Sequence, residues 1–403
     1  MAVVRQLWRS AIGLLSVIVR HFGSAARCAL TRRSDEAAEH VRFAFQALHD
    51  DLAALAAMRH QGVLPSQRDV DRILIVKLDR VGDMVNTTPV FDALRERYPK
   101  AQLDLVGHPA VLPLLDGDPR IQERFQYRSA LYHGGRLRPP GLSAWRLMRR
   151  LWHVRYPLVV YLRGSFPFLP LAARSRFVAA KFVSGEPLIR RYLKPLGLSD
   201  DAGDPLPEPI LYVARASRDR VLAKYPNWAA GPSVVIHAMS TAVGKQWPLE
   251  RFAWVADQIV AQGQGRVLFL AAPAERDKIA RLHALCRQAH DFETQFSLPE
   301  VVAAIAHARV FIGNDSGLAH IAAAVKTREV VVWGAANLEM ARPAAKLDRC
   351  TLLYRDVACR AGCPEVRCVG PNYLKCLLDI AETEVLEAAL NQLRSAWNRE
   401  KSS

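Results

Sequence analysis

Two α/β units, each an open parallel sheet covered by helices, are what this sequence predicts. Three observations carry the prediction. The chain has 403 residues, enough for two or three domains at roughly 150 residues each. Short runs of Val, Ile and Leu alternate with stretches of helical spacing, the pattern of βαβ units. That rhythm stops and restarts around Pro205-Leu-Pro-Glu-Pro209, which reads as a linker between two halves. Half of the residues are hydrophobic and 23% are charged, which excludes intrinsic disorder, a collagen-like repeat and a polytopic membrane protein. Lys plus Arg is 55 against 39 Asp plus Glu, a formal net charge of +16 that favours nucleic acid, anionic lipid or phosphate-bearing substrates. Seven cysteines are too few for a disulfide scaffold.

The first 70 residues precede the α/β rhythm. Residues 1–33 carry six arginines and no acid: Arg5, Arg9, Arg20, Arg27, Arg32 and Arg33. The apolar stretch Ala11–Val19 is shorter than the ~20 residues of a spanning helix. Arg20 and His21 directly behind it fit a signal peptide poorly. Arg5, Arg9, Ser16 and Arg20 share roughly one helical face, with Leu7, Trp8, Ile12, Leu15 and Ile18 on the rest. That pattern fits a helix lying in a membrane interface, and packing on the protein's own body or a partner subunit is the alternative. Residues 35–60, rich in Ala and Leu, predict a second helix, and Gly62 to Asp71 a linker.

In the first half, Arg72–Lys77 is a short apolar run suited to a buried parallel strand. Gly82–Tyr98 has helical spacing, with Met84, Val85, Val90, Phe91 and Leu94 apolar. Gln102–Val106, Leu158–Leu162 and Ala180–Val183 predict further strands. In the second half, Ser233–His237, Gly265–Leu270, Arg309–Gly313 and Glu329–Trp333 predict strands. Leu249–Gln262, Glu275–Gln288 and Ser316–Val325 predict helices, and a last helix runs over roughly 381–397.

Ligands of open α/β sheets sit at the carboxyl ends of the strands, so the loops just after strands carry the functional information. In Lys77-Leu-Asp-Arg-Val-Gly-Asp83, one glycine permits a tight turn, and Asp83 near the helix start is either a cap or a general base. One glycine is not a dinucleotide fingerprint. His237-Ala-Met-Ser-Thr-Ala-Val-Gly-Lys-Gln-Trp-Pro248 offers hydroxyls, backbone donors and one cation, Lys245, to a phosphate; a solvated lysine is the plainer reading. In Ala271-Ala-Pro-Ala-Glu-Arg-Asp277, Glu275 begins a helix, where acids favour the dipole, or it holds a ribose or base. In Gly313-Asn-Asp-Ser-Gly-Leu-Ala-His320, Ser316 and Gly317 start a helix whose amides can face a pyrophosphate. Asp315 there suits sugar hydroxyls, with His320 one turn on; an ordinary helix capped by Asp315 is the alternative.

These loops, in this order, resemble glycosyltransferase family 9, the ADP-heptose:lipopolysaccharide heptosyltransferases. The resemblance rests on Ile73 through Pro89, on His237 through Pro248 and on Gly313 through His320, and spans about residues 71–390. It implies the GT-B fold, two Rossmann-like domains facing across a cleft, here with an extra helical N-terminal segment. The expected division is a basic amphipathic extension over 1–70, an acceptor-side domain over 71–210, a nucleotide-sugar domain over 211–380, and a C-terminal helix and tail over 381–403.

The resemblance also implies roles. Asp83 matches a general base in an inverting transfer from ADP-heptose to a lipopolysaccharide inner-core acceptor. Lys245, with Ser240 and Thr241, would neutralise the departing diphosphate, and no metal is needed for catalysis if a lysine and helix amides do this. Glu275 matches a nucleoside contact, Asp315 a contact to the donor sugar, and Ser316, Gly317 and His320 phosphate contacts. The implied partners are a nucleotide-sugar donor, a lipid-anchored saccharide and an anionic membrane surface at the cytoplasmic face of the inner membrane. Val243-Gly244 before the lysine, Gly334-Ala-Ala-Asn337 after Trp333 and the first 70 residues depart from the usual members.

Cys359, Cys363, Cys368 and Cys376 form a C-x3-C-x4-C-x7-C segment that other members of the family share in similar form. It suits a structural zinc or iron, two disulfides or reduced thiols. Cys28, Cys286 and Cys350 are scattered and read as inert. The competing functions are a glycosyltransferase with another donor or a protein acceptor, a non-catalytic binding module, and a nucleic-acid binder. The last is suggested by charge alone: no recognised binding motif and no aromatic-interleaved basic stretch accompanies it.

Overall fold

A computed structural model describes residues 64–128, 142–163, 171, 175–180, 186–198, 206–228, 231–240, 242–359, 363, 368 and 373–400. The expected interface helix within 1–33, the second helix at 35–60, Cys28 and Thr241 lie outside the described residues. Among the described residues, no helix is long and apolar enough to cross a membrane.

Two all-parallel sheets organise the chain. The first has the order β3-β2-β1-β4-β5, with β1 Arg72–Lys77, β2 Gln102–Gly107, β3 Glu123–Gln126, β4 Leu158–Arg163 and β5 Arg176–Ala179. The second has the order β11-β10-β9-β6-β7-β8, with β6 Ser233–His237, β7 Arg266–Leu270, β8 Asp291–Glu293, β9 Val310–Asn314, β10 Arg328–Trp333 and β11 Cys350–Tyr354. The helices are α1 Val81–Val85, α2 Thr88–Arg97, α3 Leu142–Val154, α4 Leu188–Leu193, α5 Arg215–Lys224, α6 Leu249–Ala261, α7 Arg276–Leu285, α8 Leu298–His307, α9 Gly317–Ala324, α10 Leu338–Ala341, α11 Lys375–Leu378 and α12 Glu382–Glu400. In both sheets the chain walks outward in one direction and then restarts on the other side of its first strand, between β1 and β4 and between β6 and β9. Such switch points open a crevice at the strand carboxyl ends.

The central strands are covered on both faces, which is why they read as unbroken apolar runs. Ile73 and Ile75 of β1 enter one apolar cluster, and Leu74 and Val76 enter another beneath α3. The first of these clusters also holds Val235, Phe311 and Ala319, so one continuous core joins the two sheets. The linker strengthens that joint. Ile210 donates its N–H to Thr88 Oγ1 at 3.0 Å, and Leu211 donates to the Ala324 carbonyl at 3.3 Å.

The helix expected over Gly82–Tyr98 is two helices. Pro89 has no N–H for the Val85 carbonyl, and the Thr88 hydroxyl donates to that carbonyl instead at 2.9 Å. Of the strand expected at Ala180–Val183, residues 181–183 lie outside the described residues; the strand described just before it is Arg176–Ala179, where Phe177 is fully buried. Helices α3, α4, α5, α8, α10 and α11 and strands β3, β8 and β11 were not foreseen. The three strands are short edge or near-edge elements with polar residues in their runs, so they lack the continuous apolar signal.

Candidate functional site

Three of the four loops singled out in the sequence, those after β1, β6 and β9, lie at the two switch points, and the fourth follows β7. After β1 the chain turns at Leu78–Arg80 and enters α1, which carries half-buried Asp83 on its first turn. The N-cap of α1 is Arg80, so Asp83 is not a cap, and that alternative falls. Gly82 is helical rather than a turn glycine. A Cβ there would lie 2.7 Å from His320 Cδ2, and one at Gly317 would lie 3.0 Å from Val81 Cβ. The two glycines let α1 of the first sheet and α9 of the second approach closely across the cleft.

His320 sits in this contact. It is buried, and its Nδ1 lies 3.5 Å from Asn86 Nδ2. Burial lowers its proton affinity, the Asp315 and Asp83 charges oppose this, and Lys245 adds to it. Its net shift is downward, so the imidazole is neutral near pH 7. Asp83, Lys245, Asp315 and His320 therefore share one electrostatic neighbourhood, built from both sheets.

Lys245 Nζ meets Asp315 Oδ2 at 2.9 Å, with the carboxylate almost wholly buried and the lysine partly open. The loop that carries Lys245 is held from two sides. Asn314 accepts the Trp247 N–H at 3.0 Å and donates to the Ala238 carbonyl at 3.0 Å. Trp247 is fully buried, and its indole donates to the Ile380 carbonyl at 3.1 Å. On the other side, Ala335 donates its N–H to the Gly244 carbonyl at 3.0 Å. Gly334 makes that approach possible, because a Cβ there would lie 2.0 Å from the Gly244 oxygen.

The N-cap of α9 is Ser316, not Asp315 as the alternative reading expected, and the serine side chain does not cap its helix. Its hydroxyl lies 3.2 Å from Nδ1 of His237, the last residue of β6. Burial pushes His237 down to about 4, so this ring too is neutral near pH 7. Ser240 is buried, and its hydroxyl accepts the Ala242 N–H at 3.3 Å. Lys278 of α7 reaches the same loop, 3.2 Å from Gln246 Oε1 and 3.5 Å from the Ser240 carbonyl. Glu275 stands at the end of β7, next to β6, where its carboxylate accepts the Ala272 N–H at 2.9 Å and closes its own turn.

Sequence reasoning missed several members of this assembly. Lys77 is fully buried and donates to Asp79 Oδ2 and to Tyr192 Oη, each at 2.5 Å. Burial opposes its charge, but Asp79, Tyr192 and Asp83 outweigh burial and hold it as an ammonium. Tyr192 is pushed up to about 12, chiefly by burial. A lysine closing an apolar strand was the available signal for Lys77, and an asparagine closing β9 was the signal for Asn314.

Among the described residues, Cys359, Cys363, Cys368 and Cys376 do not bring three ligand atoms within 4.8 Å of one another. Cys359 is exposed, Cys363 and Cys368 are half-buried and Cys376 is buried. Cys368 Sγ accepts the Leu374 N–H at 3.2 Å. Among the described residues the group of three ligand types within 4.8 Å is instead Asp257, Cys286 and His290. These atoms are already engaged: Asp257 accepts from Arg287 and Gln288 amides and pairs with His290 Nε2 at 2.8 Å. Burial pushes the Cys286 thiol up to about 12.

Comparison with known proteins agrees with this fold. The profile of Glycosyltransferase family 9 (heptosyltransferase) matches residues 168–365. Lipopolysaccharide heptosyltransferase 2 of Salmonella typhimurium is 26% identical over 360 residues, covering 78% of this chain and 97% of that protein. The structure of Escherichia coli ADP-heptose lipopolysaccharide heptosyltransferase II superposes with a TM-score of 0.64 at 20% identity, covering 80% of this chain and 99% of that one. The iron-containing dodecameric glycosyltransferase TibC of enterotoxigenic E. coli superposes with a TM-score of 0.52 at 17% identity, covering 84% of this chain and 81% of that one. Two facing parallel-sheet domains form the GT-B architecture, and their switch-point loops carry the sequence motifs in the expected order. On these grounds the chain is similar to glycosyltransferase family 9, whose profile matches just under half of it, and is a glycosyltransferase.

Proposed function

We propose that this enzyme transfers a heptose from ADP-heptose to an inner-core saccharide of lipopolysaccharide, with inversion at the anomeric carbon. The observation that carries the reading is the convergence of Asp83 from one sheet and the Lys245–Asp315 pair from the other on the buried His320. The names of the similar proteins supply the sugar and the acceptor class.

In the proposed reaction, the Asp83 carboxylate takes the proton of the acceptor hydroxyl as that oxygen forms its bond to the anomeric carbon. The bond from that carbon to the diphosphate breaks on the opposite face, and ADP leaves with the electron pair. Lys245 offsets the new charge on the leaving oxygen. Asp315 holds Lys245 and presents its remaining acceptor capacity to sugar hydroxyls. Ser240, with Thr241 next to it in sequence, would bind the diphosphate, and Lys278 adds a second cation to the edge of that loop. Glu275 would contact the nucleoside at the end of β7. Ser316, Gly317 and His320 act more by position than by charge. Gly317 and His320 pack on α1, and so fix the distance between the leaving-group side and Asp83. A lipid-anchored acceptor places the reaction at the cytoplasmic face of the inner membrane.

Calorimetry with ADP-heptose, UDP-glucose and GDP-mannose tests the donor. Selective binding of ADP-heptose is expected. Binding of another sugar nucleotide in its place, or of none by the folded protein, would overturn the reading.

A further inference from the structure

Between Glu123 and Glu186 the chain has no acidic residue, yet it carries eleven arginines and Lys181. Most of the net charge of +16 therefore lies in one stretch of the acceptor-side half. Helix α3 lies at its centre. One face of α3 is committed to the core: Ala144, Met148 and Leu151 are buried with Val76, Phe125, Val159 and Phe177. The opposite face presents Trp145, 59% exposed, with Arg146, Arg149, Arg150 and His153 also exposed. Arg150 is paired to Glu123, whereas Arg146 and Arg149 have no ion pair among the described residues.

We propose that the outer face of α3 is a docking surface for an anionic phospholipid bilayer, with Trp145 at the headgroup level and Arg146 and Arg149 on lipid phosphates. An exposed indole flanked by unpaired guanidinium groups, on a helix with no acid, complements the interface of an anionic membrane. The location supports the same partner. Helix α3 crosses from β3 to β4, so its first turn, with Trp145, lies toward the carboxyl edge of the sheet where the cleft opens. This inference rests on the lipid-anchored acceptor proposed above: a bilayer bound at α3 would hold that acceptor beside Asp83. It is separate from any membrane contact made by residues 1–33.

Co-sedimentation of the full chain with phosphatidylglycerol–phosphatidylethanolamine vesicles, at fixed salt, tests it. Neutralising a surface arginine should weaken partitioning about fivefold, so Arg146→Ala with Arg149→Ala should lose roughly 25-fold. Brominated lipid should quench tryptophan fluorescence in the wild type, and Trp145→Phe should remove part of that quenching while Trp8→Phe leaves that part in place. Turnover on a lipid-free core oligosaccharide should not change in these variants. Absence of turnover in the wild type would count against the proposed reaction and leave the vesicle result readable. Unchanged partitioning of the double variant, quenching independent of Trp145, or single-stranded DNA binding tighter than vesicle binding would each overturn the docking surface.

Discussion

Replacing Gly334 with alanine tests how firmly the lysine loop is placed. A Cβ at Gly334 would stand 2.0 Å from the Gly244 carbonyl oxygen and 3.0 Å from its carbonyl carbon. Both are backbone atoms, so no side chain can swing away. Contacts under 3.0 Å are not tolerated, and the turn that carries Gly244 and Lys245 must retreat by about 1 Å. The retreat strains or breaks the 3.0 Å bond from the Ala335 amide. It also pulls Lys245 from its place 2.9 Å from Asp315. Overpacking of this kind costs about 1–3 kcal/mol of stability, a fall of several degrees in melting temperature for domains of this size. A displacement of ~1 Å in a group that orients the reacting atoms costs on the order of 100-fold in rate. The assay is sugar transfer at saturating acceptor, read beside thermal melting of the same preparation. Gly231→Ala is the control, because nothing lies within 4 Å of its Cβ position. A Gly334→Ala enzyme that stays folded and transfers at the wild-type rate would refute the claim that Lys245 must be held where it is.

Other consequences follow from buried polar groups. Asn314→Ala leaves the Trp247 N–H and the Ala238 carbonyl without their partner, and both groups are buried. It should destabilise the protein by about 2–5 kcal/mol and weaken donor binding, checked by chemical denaturation and calorimetry. The pH dependence has two opposed arms. The unfolded chain protonates His237 near 6.5 and the native chain only near about 4, so the unfolded state binds more protons in that window. Stability should fall as pH drops through it, by on the order of 3 kcal/mol in all, and His237→Gln should flatten the slope. Burial, only partly offset by Arg349, pushes Glu329 up to about 8 from 4.5, so there the native state binds more protons. Stability should then fall as pH rises from 4.5 to 8, and Glu329→Gln should melt above wild type at pH 8 but not at pH 5.

The sequence was most legible where burial is two-sided. Strands β1, β6, β9 and β10 are continuous apolar runs because helices cover both faces, and their expected bounds differ from the observed ones by at most one residue. Helix α8 carried a readable signal that was overlooked: Ser297 and Glu300 form a capping box around Pro299. Edge strand β3, Glu-Arg-Phe-Gln, buries only Phe125 and has no such signal. In the site, the loops that bear Asp83, Lys245 and Asp315 could be found because ligands collect at strand ends. The reasons for particular residues could not. Gly82 is small because His320 arrives from the other sheet, and Gly334 is small because Gly244 does. Both contacts join residues far apart in the chain, and local pattern carries no trace of them. The Lys77–Tyr192 pair spans 115 positions and was hidden for the same reason.

The central claim is that Asp83 removes the acceptor proton. The direct test is Asp83→Asn, measured for single-turnover sugar transfer and for ADP-heptose affinity on the same protein. The side chain keeps its size and loses its basicity. The rate should fall by roughly 10²–10⁴-fold, while the dissociation constant of ADP-heptose stays within a factor of about two. Near-normal transfer by the variant, or a parallel loss of donor affinity and rate, would contradict the assignment of Asp83 as the base.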